Sequence, residues 1–381
     1  MNRSIYQKFE VAWKYPVFFT EDVFHEENRI FLEAITLQER EKKYRLLFVI
    51  DDGVAKAHPY LEKQILQYVS CHGNSLALSA PLLVVPGGEI AKNSHHLIEN
   101  LQIQIHKHGL CRQSFVIAIG GGAVLDMAGF ACSTPHRGIR LIRIPTTVLS
   151  QNDSGVGVKN AINAFGKKNF LGTFSPPFAV INDRKFLTTL RQRDWLAGVA
   201  EAVKVALLKD KNFFLYLEKN TQSLVKRDIA VLQETIYQCA RLHLEHIRTS
   251  GDPFEYGSSR PLDFGHWAAH KLESLSDYRL RHGEAVASGI ALDTCYSVIQ
   301  GFLQQEEGNK ILTLLKELQF HLYQPEMENE SFWNGLAEFR EHLGGILCIP
   351  LLRSIAHPIE VNEMDTTKIK KAIFFLKEQN L

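Results

Sequence analysis

IAIGGGAVLDMAGF (117–130), RIPTTVLSQNDSGVGVKNAIN (143–163) and KKNFLGTFSPPFAVIND (167–183) make up the stretch that decides the fold. It opens on an apolar run, Phe115 to Ile119, followed by Gly120, Gly121 and Gly122 and then a helix-like segment. Strand, tight turn and helix in that order bring bare backbone N–H groups to a phosphate at a helix N-terminus. The glycines alone are weaker than a GxGxxG pattern, because a glycine cluster after a strand often serves only a turn. Asp126 falls in the first turns of the helix, where it can meet a ribose or simply favour the positive helix end. The lysines, asparagines and aspartate that follow are the residue types that hold an anionic polyol.

Outward from this stretch, the first half alternates the two periodicities. RLLFVID (45–51), PLLVVPGG (81–88), FVIAIGGG (115–122) and IRLIRIPTT (139–147) read as strands, separated by helical patterns such as HPYLEKQILQYVSCHG (58–73) and NSHHLIENLQIQIHKHG (93–109). That order predicts a parallel sheet with helices on both faces. From about Leu187 strand-like runs nearly vanish. Long helical patterns take over, including DWLAGVAEAVKVALLKD (194–210), GHWAAHKLESL (265–275) and GEAVASGIALDTCYSVIQ (283–300). The expectation is two domains sharing a cleft: an α/β nucleotide-binding domain over residues 1–185 and an all-α domain over 186–381.

Composition narrows the class. The 381 residues are 45% hydrophobic and 22% charged, with a net charge of +1. Such a balance argues against a nucleic-acid or membrane-surface role. The six cysteines show no CxxC pairing, as in a reducing compartment. With no apolar leader pattern at the start and no long apolar run, the expected location is the cytoplasm.

Glu201 lies in a helical pattern. His266 and His270 stand one turn apart on another, and His282 opens a third. One carboxylate with two or three imidazoles suits Zn²⁺ or a similar divalent ion with an open position. Chance also produces such histidine pairs in a chain with sixteen histidines. Lys159, Lys168, Lys204 and Arg137 belong to the same segments. Lys204 follows Glu201 at helical spacing, so both can face one cleft. Cations beside an ion would hold a phosphate and a developing alkoxide.

Together these residues resemble the dehydroquinate synthase-like sugar-phosphate cyclases. The resemblance runs from about Val49 to Ser297 through PGGE with Lys92, GGGAVLDMAGF, HRGIRLIRIPTTVLSQNDSGVGVKNAIN, KKN, GVAEAVK, FGHWAAH and HGEAVA. It implies NAD between the two domains, a divalent metal beside it (usually zinc) and a homodimer. Glu201, His266 and His282 match the metal ligands. Asp52, Glu89 and Lys92 match contacts to the adenosine end of NAD. Gly121, Gly122, Asp126, Thr146 and Thr147 match pyrophosphate and nicotinamide contacts, and Thr189 also matches a nucleotide contact. Asp153, Lys159, Lys168, Asn169, Lys204 and His270 match the substrate shell. Arg137 matches an arginine passed to the neighbouring subunit's phosphate site. The implied reaction is transient oxidation of a secondary alcohol, elimination of phosphate, return of the hydride and intramolecular aldol closure.

The chain departs from the parent enzymes where they grip a substrate carboxylate. Glu245, Ser259 and Asp263 stand where a lysine, an arginine and an asparagine are expected. A carboxylate docking there would be repelled, whereas a neutral polyol end would gain a hydrogen bond from Asp263. Asp263 resembles the branch that cyclises sedoheptulose 7-phosphate, although that branch commonly has proline in place of His270; an ebo-type cyclase branch is another match. The expected function is cyclisation of a carboxylate-free sugar phosphate, sedoheptulose 7-phosphate foremost. The alternative is 3-dehydroquinate synthase, with Arg260 rescuing carboxylate binding. A polyol dehydrogenase and a non-catalytic NAD-binding relic are further readings.

Overall fold

The apolar runs of the first half are strands of one sheet. The computed structural model describes residues 3–39, 41–257, 259–342 and 344–379. Its strands are β1 (Val17–Thr20), β2 (Tyr44–Asp51), β3 (Leu76–Leu78), β4 (Leu83–Val85), β5 (Phe115–Gly120), β6 (Arg140–Pro145), β7 (Lys159–Ala164), β8 (Lys167–Phe174) and β9 (Ala179–Asp183). Seven of them form a sheet of order β1-β9-β6-β5-β2-β3, with β4 also on β2. Every pairing within it is parallel.

A parallel sheet needs cover on both faces, and side-chain alternation supplies it. Leu46, Phe48 and Ile50 of β2 join Ile117 and Ile119 of β5 in a core with Phe31 and Tyr68. Leu47 and Val49 join Val116 and Ala118 in the opposite core, against Ile98 and Val124. Burying each of the Val, Leu, Ile and Phe side chains among these stabilises the fold by about 1.5–3 kcal/mol. From β2 the chain first runs outward to β3 and β4, then crosses back to β5, β6 and β9. The order therefore reverses between β2 and β5. At such a switch point the carboxyl ends of two strands splay and leave a crevice. Asp51 ends β2 there, and Gly120 ends β5.

Two features of the first half lay outside the sequence expectation. The first forty residues, which carried no clear pattern, supply edge strand β1 on β9. The segments around VGVKNAIN and KKNFLG, assigned to no element by sequence pattern, form the antiparallel hairpin β7–β8. Its two-residue turn, Phe165-Gly166, has positive φ at both positions (53° and 71°), the geometry that matches strand twist. Phe-Gly lacks the asparagine or aspartate that usually marks such a turn, so the sequence hides it.

The second half is built of helices, among them Gln192–Lys209, Ile229–Thr249, His266–Leu275 and His282–Ile299. The expectation of an all-α second half is corrected by one hairpin, β10 (Ile349–Ser354) with β11 (His357–Val361). It is tied back by Ala356 N–H donating to the Leu207 carbonyl at 2.8 Å. Among the described residues no helix is long and apolar enough to cross a membrane.

Candidate functional site

Three helices deliver the polar cluster. Glu201 lies mid-helix in Gln192–Lys209 and is fully buried. His266 and His282 are the first residues of their helices. His282 Nε2 lies 3.2 Å, and His266 Nε2 3.6 Å, from Glu201 Oε1. One ligand atom from each of the three residues lies within 4.8 Å of the others. Neither Glu201 oxygen accepts a well-directed hydrogen bond, and both are sealed from solvent. A buried carboxylate left in that state between two imidazoles is a donor set that fits a divalent ion.

Electrostatics set the protonation states. Burial would raise the Glu201 carboxyl, but Lys204 and the two imidazoles hold it well below the usual range. Lys204 Nζ sits 2.6 Å from Glu201 Oε2. Burial would lower its ammonium, yet Glu201 and Asp153 keep it above the usual lysine value. Burial, with Lys204 nearby, pushes the His266 imidazole down to about 3. Burial and His266 do the same to His270, also to about 3. His282 goes the other way: Glu273 and Glu201 outweigh burial and raise it to about 9.

The shell around this cluster is partly as expected and partly not. Asp153 stands in the π-helical turn Ser150–Ser154, which docks on the Glu201 helix through Asn152 Nδ2 donating to the Gly198 carbonyl at 2.8 Å. Lys168 pairs with Glu273 at 2.6 Å. His270 packs its ring 5.4 Å from that of His266. Asp263 is half-buried and adds to the field that keeps Lys204 charged. Lys159 is exposed, and its ammonium pairs with Glu255 on the loop after the Ile229–Thr249 helix. Arg137 is exposed in the turn after Ser133, with a φ of 65°.

The nucleotide-side residues gather at the carboxyl edge of the sheet. Gly121 precedes the helix Gly122–Ser133, whose first N–H groups have no side-chain cap. A Cβ on Gly122 would lie 2.6 Å from Ser154 Oγ, so that hydroxyl would have to turn aside. Asp52 accepts from Gly87 N–H at 3.0 Å. Glu89 accepts from Asn163 Nδ2 at 2.6 Å. Lys92 pairs with Asp126 at 2.6 Å and also donates to Asn169 Oδ1, which fastens the β7–β8 hairpin to the sheet edge. Thr146 N–H donates to the Gly120 carbonyl at 3.0 Å. The Thr147 hydroxyl bonds Ser150 Oγ at 2.8 Å. The Thr189 hydroxyl bonds His58 Nε2 at 3.0 Å.

One expected position is corrected. Glu245 does not face the site: it is exposed and pairs with Arg248 at 2.6 Å. His243 faces inward instead, with Nδ1 2.8 Å from Asp153 Oδ1. The buried face of this helix runs through Ile236, Cys239 and Ala240, and His243 continues it at i+4 from Cys239. Glu245 lies about 200° further round the helix. Arg260 is not free to meet a carboxylate. It donates to the Gly257 and Ser259 carbonyls at 2.6 and 2.9 Å and lies 3.7 Å from Glu255. Ser259 Oγ donates to Glu360 of β11 at 2.7 Å.

Asp293, also unforeseen, pins the turn before His266. It accepts from Gly265 N–H at 3.0 Å and from the Trp267 indole at 2.9 Å. Burial lifts its carboxyl from 3.8 to about 7. Unfolded, Asp293 ionises above about 3.8; folded, only above about 7. Its contribution to stability is therefore complete below the lower value and is lost as pH rises to the upper one. Asp293→Asn should remove that slope, read from urea midpoints at pH 4, 5.5 and 7. A wild-type slope that persists in the variant would refute the assignment.

Comparison with known proteins shows the family. The family model described as 3-dehydroquinate synthase N-terminal matches residues 82–197, and that described as 3-dehydroquinate synthase C-terminal matches 198–339. The 3-dehydroquinate synthase of Acinetobacter baumannii (strain SDF) is 35% identical over 302 residues, 78% of this chain and 82% of the relative. That of Vibrio atlanticus (strain LGP32) is 34% identical over 333 residues, covering 86% and 89%. Among solved structures, ValA, a 2-epi-5-epi-valiolone synthase from Streptomyces hygroscopicus subsp. jinggangensis 5008 with NAD⁺ and Zn²⁺ bound, superposes with a TM-score of 0.88. It is 28% identical, and the match covers 99% of both chains. A 2-deoxy-scyllo-inosose synthase shares the fold, with a TM-score of 0.76 at 23% identity over 94% of this chain and 95% of that one.

Proposed function

This chain belongs to the 3-dehydroquinate synthase family, and we propose that it is an NAD- and divalent-metal-dependent sugar-phosphate cyclase whose substrate carries no carboxylate. Sedoheptulose 7-phosphate is the substrate proposed. The observation that carries this reading is the charge at the far end of the site. Asp263 stands beside the Lys204 cluster, while the Arg260 guanidinium is engaged by loop carbonyls and Glu255. A carboxylate would meet the negative charge of Asp263 there, with the Arg260 guanidinium drawn toward its own loop, whereas a polyol finds an acceptor. The match to ValA, which was solved with NAD⁺ and Zn²⁺ bound, supports the cofactors of this reading.

The roles follow from position. Residues 1–185 carry most of the NAD contacts and, on the β7–β8 hairpin, part of the substrate shell; residues 186–381 hold the ion and the rest of that shell. Glu201, His266 and His282 hold the ion. Gly121 and Gly122 offer the N-terminal N–H groups of their helix to the pyrophosphate. Asp52, Glu89 and Lys92 flank the adenosine end; Asp126, Thr146, Thr147 and Thr189 line the rest of the crevice. When bound, NAD supplies the hydride acceptor and the ion lowers the pKa of the alcohol being oxidised. Lys204, held charged by Glu201 and Asp153, stabilises negative charge on the substrate oxygen. Lys168, Asn169 and neutral His270 bind the phosphate, and Lys159 reaches the substrate from the hairpin when it leaves Glu255. Arg137 serves the phosphate site of a second copy, in a homodimer.

The test is phosphate release from sedoheptulose 7-phosphate and from the keto-acid phosphate that 3-dehydroquinate synthases close. The polyol should be favoured in kcat/KM by about 100-fold, or ~2.7 kcal/mol. Turnover of the keto acid alone would return the chain to 3-dehydroquinate synthase activity, which the names of its relatives favour. Asp263→Asn should raise kcat/KM for the keto acid about tenfold, by removing one repelling charge. An unchanged ratio between the two substrates in that variant would exclude Asp263 as the discriminating residue.

A further inference from the structure

We propose that Glu273 is a positioning residue that fixes His282 for the ion with one oxygen and holds Lys168 for the substrate's phosphate with the other. The inference rests on the reading above and adds a residue to it. His266, His270 and Glu273 are spaced i, i+4 and i+7 on one helix and so share a face. Glu273 is buried, at 3% exposure. Its Oε2 lies 2.9 Å from His282 Nδ1 and its Oε1 2.6 Å from Lys168 Nζ. Both oxygens therefore face N–H donors.

A carboxylate accepting from Nδ1–H decides which nitrogen carries the proton. Nε2 is then the nitrogen that gives up its proton when an ion binds, and the ring is aimed at Glu201, 3.2 Å away. His270, Glu273 and His282 also form a second group with ligand-capable atoms within 4.8 Å. The two donors on Glu273 argue against an ion there: coordination by this carboxylate would displace Lys168 or turn His282 away from Glu201. The ammonium of Lys168 comes from β8, on the opposite wall, so Glu273 joins the hairpin to the helical half.

The test measures ion affinity rather than turnover. Zn²⁺ dissociation constants are taken by chelator competition for the wild type, Glu273→Ala and Glu273→Gln. Glu273→Ala should lose about 10–100-fold in affinity. Glu273→Gln keeps an amide oxygen for Nδ1–H and should recover part of that loss. Imidazole ¹⁵N spectra of the wild-type protein should show His282 Nδ1 protonated both with and without Zn²⁺. This holds the proposal to a test even if the alanine variant fails to fold. An unprotonated Nδ1, a folded alanine variant with wild-type affinity, or an ion coordinated by Glu273 would each overturn it. Ion binding that falls as expected in an enzyme inert toward every sugar phosphate would leave Glu273 in its role and remove the proposed function. Turnover of sedoheptulose 7-phosphate with unaltered ion affinity in both variants would do the reverse.

Discussion

Glu201→Gln is expected to abolish both ion binding and turnover. The substitution keeps the volume and removes one charge at the centre of the cluster. Glu201 faces His282 at 3.2 Å, His266 at 3.6 Å and Lys204 at 2.6 Å. An amide is a poor ligand for a divalent ion, and it leaves Lys204 buried with less compensation. Ion affinity should fall at least about 1,000-fold, or ~4 kcal/mol, with kcat falling by a similar factor. The ion-free protein should itself lose about 3 kcal/mol, because a buried cation has lost its partner. Thermal melting with and without Zn²⁺ separates the two effects. The wild-type midpoint should rise with Zn²⁺, and that of the variant should stay put. A variant that still gains stability from Zn²⁺, or still turns over, would mean that the ion sits elsewhere.

Gly283→Ala acts on the same site through the backbone. Gly283 follows His282, and its Cα lies against the helix that carries Glu201. A Cβ there would fall 1.7 Å from the Ala197 carbonyl oxygen and 2.5 Å from its carbon. Neither atom is the end of a flexible side chain, so the two helices must part. Overpacking of this kind costs about 1–3 kcal/mol, and more where backbone must move. We expect at least about 3 kcal/mol here, since the helix His282–Ile299 is buried along most of its length. The ion site should suffer as well, because separating the helices lengthens the Glu201 to His282 contact. Denaturant melts and chelator competition would show a combined loss. Wild-type stability in this variant would contradict the close approach.

The two substitutions differ in what a reader of the sequence could have foreseen. Glu201, His266 and His282 stood out because an acid and histidines at helical spacing form a ligand set, and because their flanking motifs resemble a family. Gly283 could not stand out, since only the neighbouring helix makes its missing side chain matter. Glu273 looked like an ordinary helix charge until Lys168 and His282 were seen on either side of it. His243 was hidden for a related reason. Helical periodicity relates His243 to Cys239, but which face is buried depends on the turn that carries Asp153. Glu245 was accordingly expected in the site when it belongs to solvent.

By itself the sequence determined the strand–helix alternation, the sheet buried on both faces, the glycine turn at the mouth of the sheet and the helical second half. Those features follow from periodicities of two and 3.6 residues and from backbone rules that act over a few positions. Only the tertiary structure decided which polar groups meet: Lys159 with Glu255, His243 with Asp153, Glu273 with Lys168. Such pairings form between side chains far apart in the chain. They depend on helix separations set to a fraction of an ångström by packing, and no local pattern encodes that distance.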